Sequence, residues 1–238
     1  MPGLPMTAPD DTAAHAGARL EAAGWVRVGA GDWSWVFADP SDALAARVTP
    51  FDPGYRTFAA ACLSGLSNRW LPHIVEIRPL RRDGYIVLMQ RLWPAEAAAA
   101  SAFCAALGIA NETGKPPPVA GPAVSADDAD LALARVRIRD LLAAGAARYR
   151  QWAVCDIHEG NVMVDAAGQL KLIDPLGVGG WKIVEALRRG QVDLLSDFSR
   201  EQLEDFLTIP YFGPGREGEP DRDELLGLVA RLCGAPGV

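Results

Sequence analysis

Residues 152–177, WAVCDIHEGNVMVDAAGQLKLIDPLG, constrain the fold more strongly than any other part of the chain. Three polar residues stand out in this mostly apolar stretch: Asp156, Asn161 five residues later, and Asp174 thirteen residues after that. Between the last two, VMVD and QLKLI alternate apolar and polar residues around a short turn with a glycine, which predicts a β-hairpin. A hairpin folds its ends back together, so we expect Asn161 and Asp174 side by side, with Asp156 on the loop before them.

These three side chains suggest a magnesium site next to an acceptor hydroxyl. Mg²⁺ takes hard oxygen ligands and is usually held by one or two carboxylates together with substrate phosphates. Asp and Asn also favour turns, so any one of the three alone would indicate capping more often than catalysis. Their combination around one hairpin favours the functional interpretation.

A glycine-rich turn lies upstream, in GAGDWSWV at residues 29–36, which has the pattern G-x-G-x-x-S-x-V. Without a Cβ in the way, the backbone amides of such a turn can approach phosphates closely. The pattern alone is weak and also fits an ordinary tight turn, but a strand that carries Arg47 follows it closely. Trp33, at the tip of the turn, is a candidate for shielding a nucleotide or for contacting a partner.

Hydrophobic periodicity predicts a small sheet with one helix, followed by a mainly helical part. The first part has a predicted helix at 13–23 ending at Gly24, strands at 25–28, 34–37 and 43–48, a helix at 53–64, and strands at 73–79 and 85–89. The second part has predicted helices at 95–107, 127–149, 183–189, 199–207 and 221–232, and a proline-rich loop at 113–125. Residues 1–17, rich in Pro, Ala and Asp, are predicted to be poorly ordered.

The order of these features resembles the protein-kinase-like fold: glycine-rich turn, basic residue on the next strand, helix, linker, long helix, D-x-x-x-x-N, hairpin and Asp. The loop DIHEGN at residues 156–161 is similar to the D-x-H-x-G-N loop of aminoglycoside and choline phosphotransferases. The resemblance covers roughly residues 25–177. It implies an α+β, two-lobed fold, with a sheet lobe at 18–92 and a mainly helical lobe at 93–238.

The resemblance also implies a role for each matching residue. Asp156 would accept or orient the proton of the attacking hydroxyl, and His158 would order its loop by hydrogen bonds. Asn161 and Asp174 would hold Mg²⁺ against the phosphates of ATP. The remaining nucleotide contacts would come from the phosphate-covering turn, the phosphate-pairing basic residue and the linker near adenine: Gly29, Gly31, Ser34, Arg47, Met89 and Arg91.

Departures from the family pattern leave other functions open. Arg47 stands in place of the usual lysine, and guanidinium is planar and bulkier than ammonium. The predicted helix 53–64 contains no Glu to pair with it, whereas Asp52 lies just outside and Glu76 falls on the next strand. An ATP- and Mg²⁺-dependent phosphotransferase acting on a hydroxyl of a protein or small molecule is the first hypothesis. A catalytically impaired pseudokinase that binds nucleotide or protein is the alternative, and transfer of AMP by the same fold is a third.

Composition narrows the partners and the location. A formal net charge of −7 argues against a nucleic-acid partner, because phosphate contacts need clustered Lys and Arg. The scattered cysteines and the lack of a visible signal or membrane segment predict a cytoplasmic protein without a membrane partner. The acceptor is not identified: a set of acidic residues near the C-terminus would suit a cationic substrate or a solvated helix face. That set is Asp193, Asp197, Glu201, Glu204 and Asp205.

Overall fold

The computed structural model describes residues 4, 5, 8, 10–66, 68–109, 128–213 and 221–233. A five-stranded antiparallel sheet comes first in the chain, and a mainly helical region follows it. The helices are α1 (Ala13–Ala22), α2 (Pro53–Leu63), α3 (Ala97–Leu107), α4 (Ala129–Tyr149), α5 (Gly180–Arg189), α6 (Val192–Leu195), α7 (Arg200–Phe206) and α8 (Arg222–Cys233). The strands are β1 (Val26–Ala30), β2 (Trp35–Ala38), β3 (Leu44–Thr49), β4 (Ile74–Pro79), β5 (Tyr85–Gln90), β6 (Trp93–Pro94), β7 (Ala153–Cys155), β8 (Val162–Val164), β9 (Leu170–Leu172) and β10 (Leu176–Val178).

The sheet has the strand order β1-β2-β3-β5-β4, so β3 lies at its centre. Successive side chains of a strand point to opposite faces. On β3, Ala46 and Val48 pack under α1 on the outer face, whereas Ala45 joins the core on the inner face. Arg47 shares the inner face with Ala45, and this alternation turns the guanidinium toward the helical region.

Helix α2 begins at Pro53 because Asp52 caps it. The Asp52 carboxylate accepts a hydrogen bond from Tyr55 N at 3.0 Å, and proline is well suited to the first helical position. Tyr55, Phe58 and Ala59 face inward and pack in one core with the inner sheet face, α3, α4 and the β8–β9 hairpin.

The sheet and the helical region meet closely at β10. A Cβ added to Gly54, at the start of α2, would lie 2.5 Å from the backbone oxygen of Leu176, and one added to Gly145 of α4 would lie 2.7 Å from Leu176 Cδ1. Only glycine permits this approach. Strand β10 pairs with β7, which delivers the chain to Asp156. A second core, of α5, α7 and α8 with Phe51 and Trp152, completes the helical region.

The predicted α+β class, an N-terminal antiparallel sheet followed by a mainly helical region, is confirmed. Gly24 ends α1 in the left-handed region at φ +85°, as predicted. The prediction of poor order over 1–17 stays a prediction, because residues 1–3, 6, 7 and 9 lie outside the described part of the chain. Helix α1 begins at Ala13, Leu4 is buried against the outer sheet face, and Asp11 pairs with Arg19 at 2.9 Å.

Other differences concern short elements and helix ends. The strands β6, β7 and β10 and the helix α6 are too short to show a periodicity. Asp128 caps α4 by accepting from Asp130 N and Leu131 N. The predicted loop 113–125 lies outside the described residues. The boundaries at 18–92 and 93–238 stay predictions. Within the described ranges, no helix is long and apolar enough to cross a membrane.

Candidate active site

The side-chain amide of Asn161 joins the three polar residues of the hairpin region. Its Nδ2 donates to the Asp156 backbone oxygen at 2.8 Å, to Asp156 Oδ2 at 3.0 Å and to the Asp174 backbone oxygen at 3.0 Å. The expected neighbourhood of Asn161 and Asp174 therefore exists, with Asp156 held beside them. Each contact is a normal hydrogen-bond length.

Two short strand pairs place these residues. Val162 opposes Leu172 in the β8–β9 hairpin, and Ile173 N donates to the Asn161 backbone oxygen at 2.9 Å just beyond it. Asp156 N donates to Pro175 O at 3.0 Å, next to the β7–β10 pair. The hairpin turn is fixed by Asp165, whose Oδ1 accepts from two turn amides. Backbone pairing on both sides therefore sets the relative position of Asp156 and Asp174.

His158 orders the loop between Asp156 and Asn161. Its Nδ1 accepts from Gly160 N at 3.1 Å, so the proton of the neutral ring lies on Nε2. That Nε2 is 3.5 Å from Asp156 Oδ1. The histidine thus supports both the loop backbone and the Asp156 carboxylate, and both side chains are open to solvent at this edge of the cleft.

Arg47 lies between two carboxylates in the interior. Its Nη1 is 2.9 Å from Asp174 Oδ2 and its Nη2 is 3.1 Å from Asp52 Oδ2, while its guanidinium carbon stacks 3.5 Å from the centre of the Tyr55 ring. Only 9% of Arg47 is exposed. Glu76 instead pairs with Arg78 at 2.8 Å.

Asp52 therefore pairs with Arg47 in place of a helix Glu. Sequence reasoning missed this partner because it looked for a Glu inside the helix. One of its oxygens caps α2 and the other binds Arg47. The Asp-Pro sequence at the helix start was the available signal, because it marks a cap whose second oxygen remains free.

Two carboxylates share the single guanidinium of Arg47, and burial shifts the pKa of both. Burial raises the pKa of Asp174 to about 7; the charge of Arg47 opposes this shift, and the negative charges of Asp52 and Asp156 add to it. Burial likewise raises the pKa of Asp52 against the effect of Arg47. Burial alone would lower the pKa of Arg47, but its neighbours, Asp174 foremost, raise it, so Arg47 keeps its charge.

The donor set at Asn161 and Asp174 fits a magnesium ion accompanied by phosphates. Asp174 Oδ1 is buried and has no hydrogen-bond partner among the residues that the structure describes. Within the described ranges no donor reaches Asn161 Oδ1 either. Among the same residues no cluster of three or more His, Cys, Asp and Glu is arranged for a metal. Two hard oxygens are the protein share typical of a nucleotide-bound Mg²⁺.

The glycine-rich turn joins β1 and β2 over one side of the cleft, closed by a hydrogen bond from Gly31 N to Ser34 O at 2.9 Å. A Cβ added to Gly29 or Gly31 would have no described heavy atom within 4 Å, and neither residue has a positive φ. The local fold therefore does not require glycine at these positions. They leave space on the cavity side, as close approach of a ligand would need.

Trp33 anchors the tip of this turn on the helical region. Its ring lies 5.5 Å from the Phe206 ring and 6.4 Å from the Phe51 ring, centre to centre. Next to it, Tyr211 N donates to Asp32 O at 2.9 Å. Trp33 therefore packs within the chain, and neither a nucleotide nor a partner is needed to explain it.

A cavity of about 1620 Å³ separates the sheet from the helical region. Drug-sized ligands occupy pockets of about 300–1,000 Å³, so this cavity has room for a nucleotide and a second molecule. Its walls include every residue to which the family resemblance assigns a role: Gly29, Gly31, Ser34, Arg47, Met89, Arg91, Asp156, His158, Asn161 and Asp174.

The end of the cavity near Met89 and Arg91 is apolar. Val36, Ala45 and Met163 line it together with Met89. Arg91 N donates to Ala43 O at 3.0 Å, so this amide is used within the protein. The carbonyls and the other amides of this segment stay candidates for the predicted contact with adenine.

No protein-family model matches the chain, and no curated protein matches it. Similar solved structures include the aminoglycoside phosphotransferase APH(3'')-Id from Streptomyces rimosus, with 15% identity, a TM-score of 0.33, and coverage of 91% of this chain and 96% of that one. A thermostable mutant of the aminoglycoside phosphotransferase APH(4)-Ia, in a ternary complex with ADP and hygromycin B, has 13% identity and a TM-score of 0.35, covering 93% and 99%. A second structure of APH(4)-Ia has 11% identity and a TM-score of 0.33, covering 90% and 87%.

These neighbours belong to the group of enzymes that the D-x-H-x-G-N loop resembles. With TM-scores below 0.5, they leave the chemistry of the site to be inferred from the geometry of this chain.

Proposed function

We propose that the protein is an ATP- and Mg²⁺-dependent phosphotransferase that acts on a hydroxyl group. The hydrogen-bonded group of Asp156, Asn161 and Asp174 carries this proposal. It offers two oxygens that receive no donor from the described part of the chain, together with the half-exposed carboxylate of Asp156. Two metal ligands next to a carboxylate that faces the cavity are what phosphoryl transfer requires of a protein.

In this proposal, Asp156 takes the proton of the acceptor hydroxyl while the oxygen of that hydroxyl forms a bond to the terminal phosphorus. The bond between that phosphorus and the bridging oxygen breaks, and the nucleoside diphosphate leaves with the electron pair. Asn161 and Asp174 would hold Mg²⁺, which would supply positive charge against the phosphates. Asn161 Nδ2 and His158 Nε2 fix the direction of the Asp156 carboxylate.

The cavity suits the rest of the nucleotide. The apolar end near Met89 matches a base, and the open space at Gly29 and Gly31 lets backbone amides approach phosphates. Arg47 lies deeper, with both of its terminal nitrogens engaged by carboxylates. It positions Asp174 and supplies the positive charge of the inner wall.

The Arg47–Asp174 contact also favours a second candidate, a nucleotide-binding module without turnover. Asp174 Oδ2 is taken by Arg47, so a metal must share this carboxylate with a guanidinium. If Arg47 holds Asp174 so that the carboxylate does not bind the metal, nucleotide binding without transfer would result.

Thermal unfolding with ATP, with and without Mg²⁺, tests the nucleotide site. We expect ATP with Mg²⁺ to raise the Tm more than ATP alone, because ligands that bind the folded state stabilise it. Asp174→Asn should lose the Mg²⁺-dependent part of the shift. Asp140→Asn, an exposed change on α4 away from the cavity, is the matched control and should keep it. If ATP shifts the wild-type Tm in neither condition, the proposed function is wrong.

A further inference from the structure

One face of α5 forms the wall of the cavity at the end where the tip of the glycine-rich turn docks. A Cβ added to Gly180, in the first turn of α5, would lie 3.0 Å from Trp33 Cζ2. In the proposed function the turn covers the phosphates, and the base lies at the opposite, apolar end near Met89. The α5 end is therefore the side on which an acceptor would approach the terminal phosphate.

The pattern of α5 separates a core face from a cavity face. Ile183 and Leu187 are fully buried in the helical core. Trp181, Glu185 and Arg188, at helical spacings of four and three residues, all line the cavity. Trp181 is 63% exposed, which is unusual for a side chain with so much apolar surface. Lys182 Nζ lies 5.5 Å from the centre of the Trp181 ring, and most of this flat aromatic surface is left open where a second molecule would sit.

The charge available on this face is positive. Glu185 is already paired with Arg189 at 2.7 Å. No carboxylate of the described residues pairs with Arg188, which is exposed to the cavity. Arginine is suited to bidentate recognition of carboxylates and phosphates.

The acidic residues that would attract a cationic acceptor lie elsewhere. Arg82 binds Asp205 at 3.0 Å and Glu204 at 3.5 Å, and Asp197 accepts from Trp152 Nε1 at 3.1 Å. None of the five acidic residues of this segment lines the cavity. The interpretation of these residues as a binding surface for a cationic substrate is therefore not supported by their positions.

We infer that the Trp181–Arg188 face of α5 binds the acceptor, and that the acceptor is an alcohol with a flat apolar ring and an anionic group. The ring would stack on Trp181 and the anion would pair with Arg188, which leaves the hydroxyl to point toward Asp156. This inference rests on the proposed function, because it assigns the second substrate of the same site. The acceptor inferred in this way is an anion, whereas the acidic C-terminal residues would have suggested a cation.

The same arginine has a second potential anionic ligand, the terminal phosphate of the nucleotide. The shared chemistry is an oxyanion, so the test must separate the two sources. Binding of an acceptor-like probe is therefore measured with ADP and Mg²⁺ present, and ADP affinity is measured separately on each variant.

Three probes that share a hydroxymethyl-substituted benzene ring and carry a negative, neutral or positive group test the inference: 4-(hydroxymethyl)benzoate, its methyl ester, and 4-(hydroxymethyl)benzylamine. Their dissociation constants are measured by saturation-transfer difference NMR on the full chain. We expect the benzoate to bind at least about fivefold more tightly than the ester, as one charge-assisted contact implies, and the benzylamine more weakly than both. Arg188→Gln should remove the preference for the benzoate, and Trp181→Leu should weaken all three probes. Arg137→Gln, an exposed change on α4 outside the cavity, should alter none of them.

Each other outcome contradicts the inference. Tighter binding of the benzylamine, an unchanged preference in Arg188→Gln, or no binding of any probe would each overturn it. Weaker ADP binding in Arg188→Gln, with probe binding unchanged, would assign the arginine to the nucleotide. Failure of ADP to bind the wild type would instead count against the proposed function, so the two failures are distinguishable.

Discussion

Asp52 binds Arg47 with one carboxylate oxygen, at 3.1 Å, and caps helix α2 with the other. The cap thus links the central strand of the sheet to the start of the helix. Arg47 extends the link to Asp174 at the end of the hairpin, so three separate parts of the chain meet at one guanidinium. The buried Arg47–Asp52 pair therefore positions Asp174, the candidate metal ligand.

Replacing Arg47 should strongly destabilise the protein. Arg47→Ala leaves two buried carboxylates without their cation, so we expect the free energy of unfolding to fall by about 3 kcal/mol or more. Urea denaturation measures it. Arg56→Ala is the control, since Arg56 is half-exposed and 3.9 Å from its partner Asp83, and should change stability by less than about 1 kcal/mol. A loss below about 1 kcal/mol for Arg47→Ala would show that the pair does not stabilise the fold.

Stability should depend on pH through Asp174. Its pKa is raised from an ordinary 3.8 to about 7, so between these values the folded chain holds a proton that the unfolded chain has released. The stabilisation is complete below the unfolded pKa and is lost as pH rises through the folded pKa, with a slope of at most about 1.4 kcal/mol per pH unit. We expect the free energy of unfolding of the wild type to fall from pH 5 to 7 relative to Asp174→Asn. Parallel pH profiles of the two proteins would refute this.

The glycine-rich turn should tolerate alanine in folding but not in ligand binding. Gly29→Ala and Gly31→Ala place a Cβ in open space, so we expect stability to change by less than about 0.5 kcal/mol. ATP affinity, measured by calorimetry, should fall if backbone amides there contact phosphates. Gly54→Ala is the contrasting variant: its Cβ would lie 2.5 Å from Leu176 O, and we expect a loss of about 1–3 kcal/mol. Unchanged ATP affinity in both turn variants would show that the turn connects β1 and β2 without contacting the phosphates.

Trp33 should control the mobility of the same turn. Trp33→Ala removes its contacts with Phe206 and Phe51, and we expect faster amide hydrogen exchange over residues 29–34. Trp33→Phe keeps an aromatic ring and serves as the matched variant. Exchange at the wild-type rate in Trp33→Ala would mean that the Tyr211–Asp32 backbone hydrogen bond holds the turn by itself.

Much of the fold follows from local sequence patterns. The hairpin, the central strands and α2 carry strong periodicity or turn signals within a few residues, and their predicted positions agree with the structure. The gathering of Asp156, Asn161 and Asp174 could be predicted because a hairpin converts sequence spacing into proximity. Strand alternation places Arg47 on the same face of β3 as Ala45, but which face is the inner one depends on contacts with the helical region.

The rest depends on contacts between distant parts of the chain. Asp52 as the partner of Arg47, the docking of Trp33 on Phe206, and the cavity face of α5 leave no mark in local periodicity. The acidic C-terminal residues illustrate the same limit: their sequence suggests a surface for cations, but Arg82 and Trp152 engage three of them. A charge count alone does not reveal which charges have partners.

Turnover of ATP labelled at the γ-phosphate, measured with Mg²⁺ for the wild type, Asp156→Asn and the Asp140→Asn control, tests whether the protein transfers phosphate through Asp156. We predict transfer of label to water or an added alcohol by the wild type and the control. Asp156→Asn should lose at least about a hundredfold in rate, as expected for removal of a general base, while keeping its Mg²⁺-dependent affinity for ATP. Equal turnover by Asp156→Asn and the wild type would show that Asp156 is not the general base.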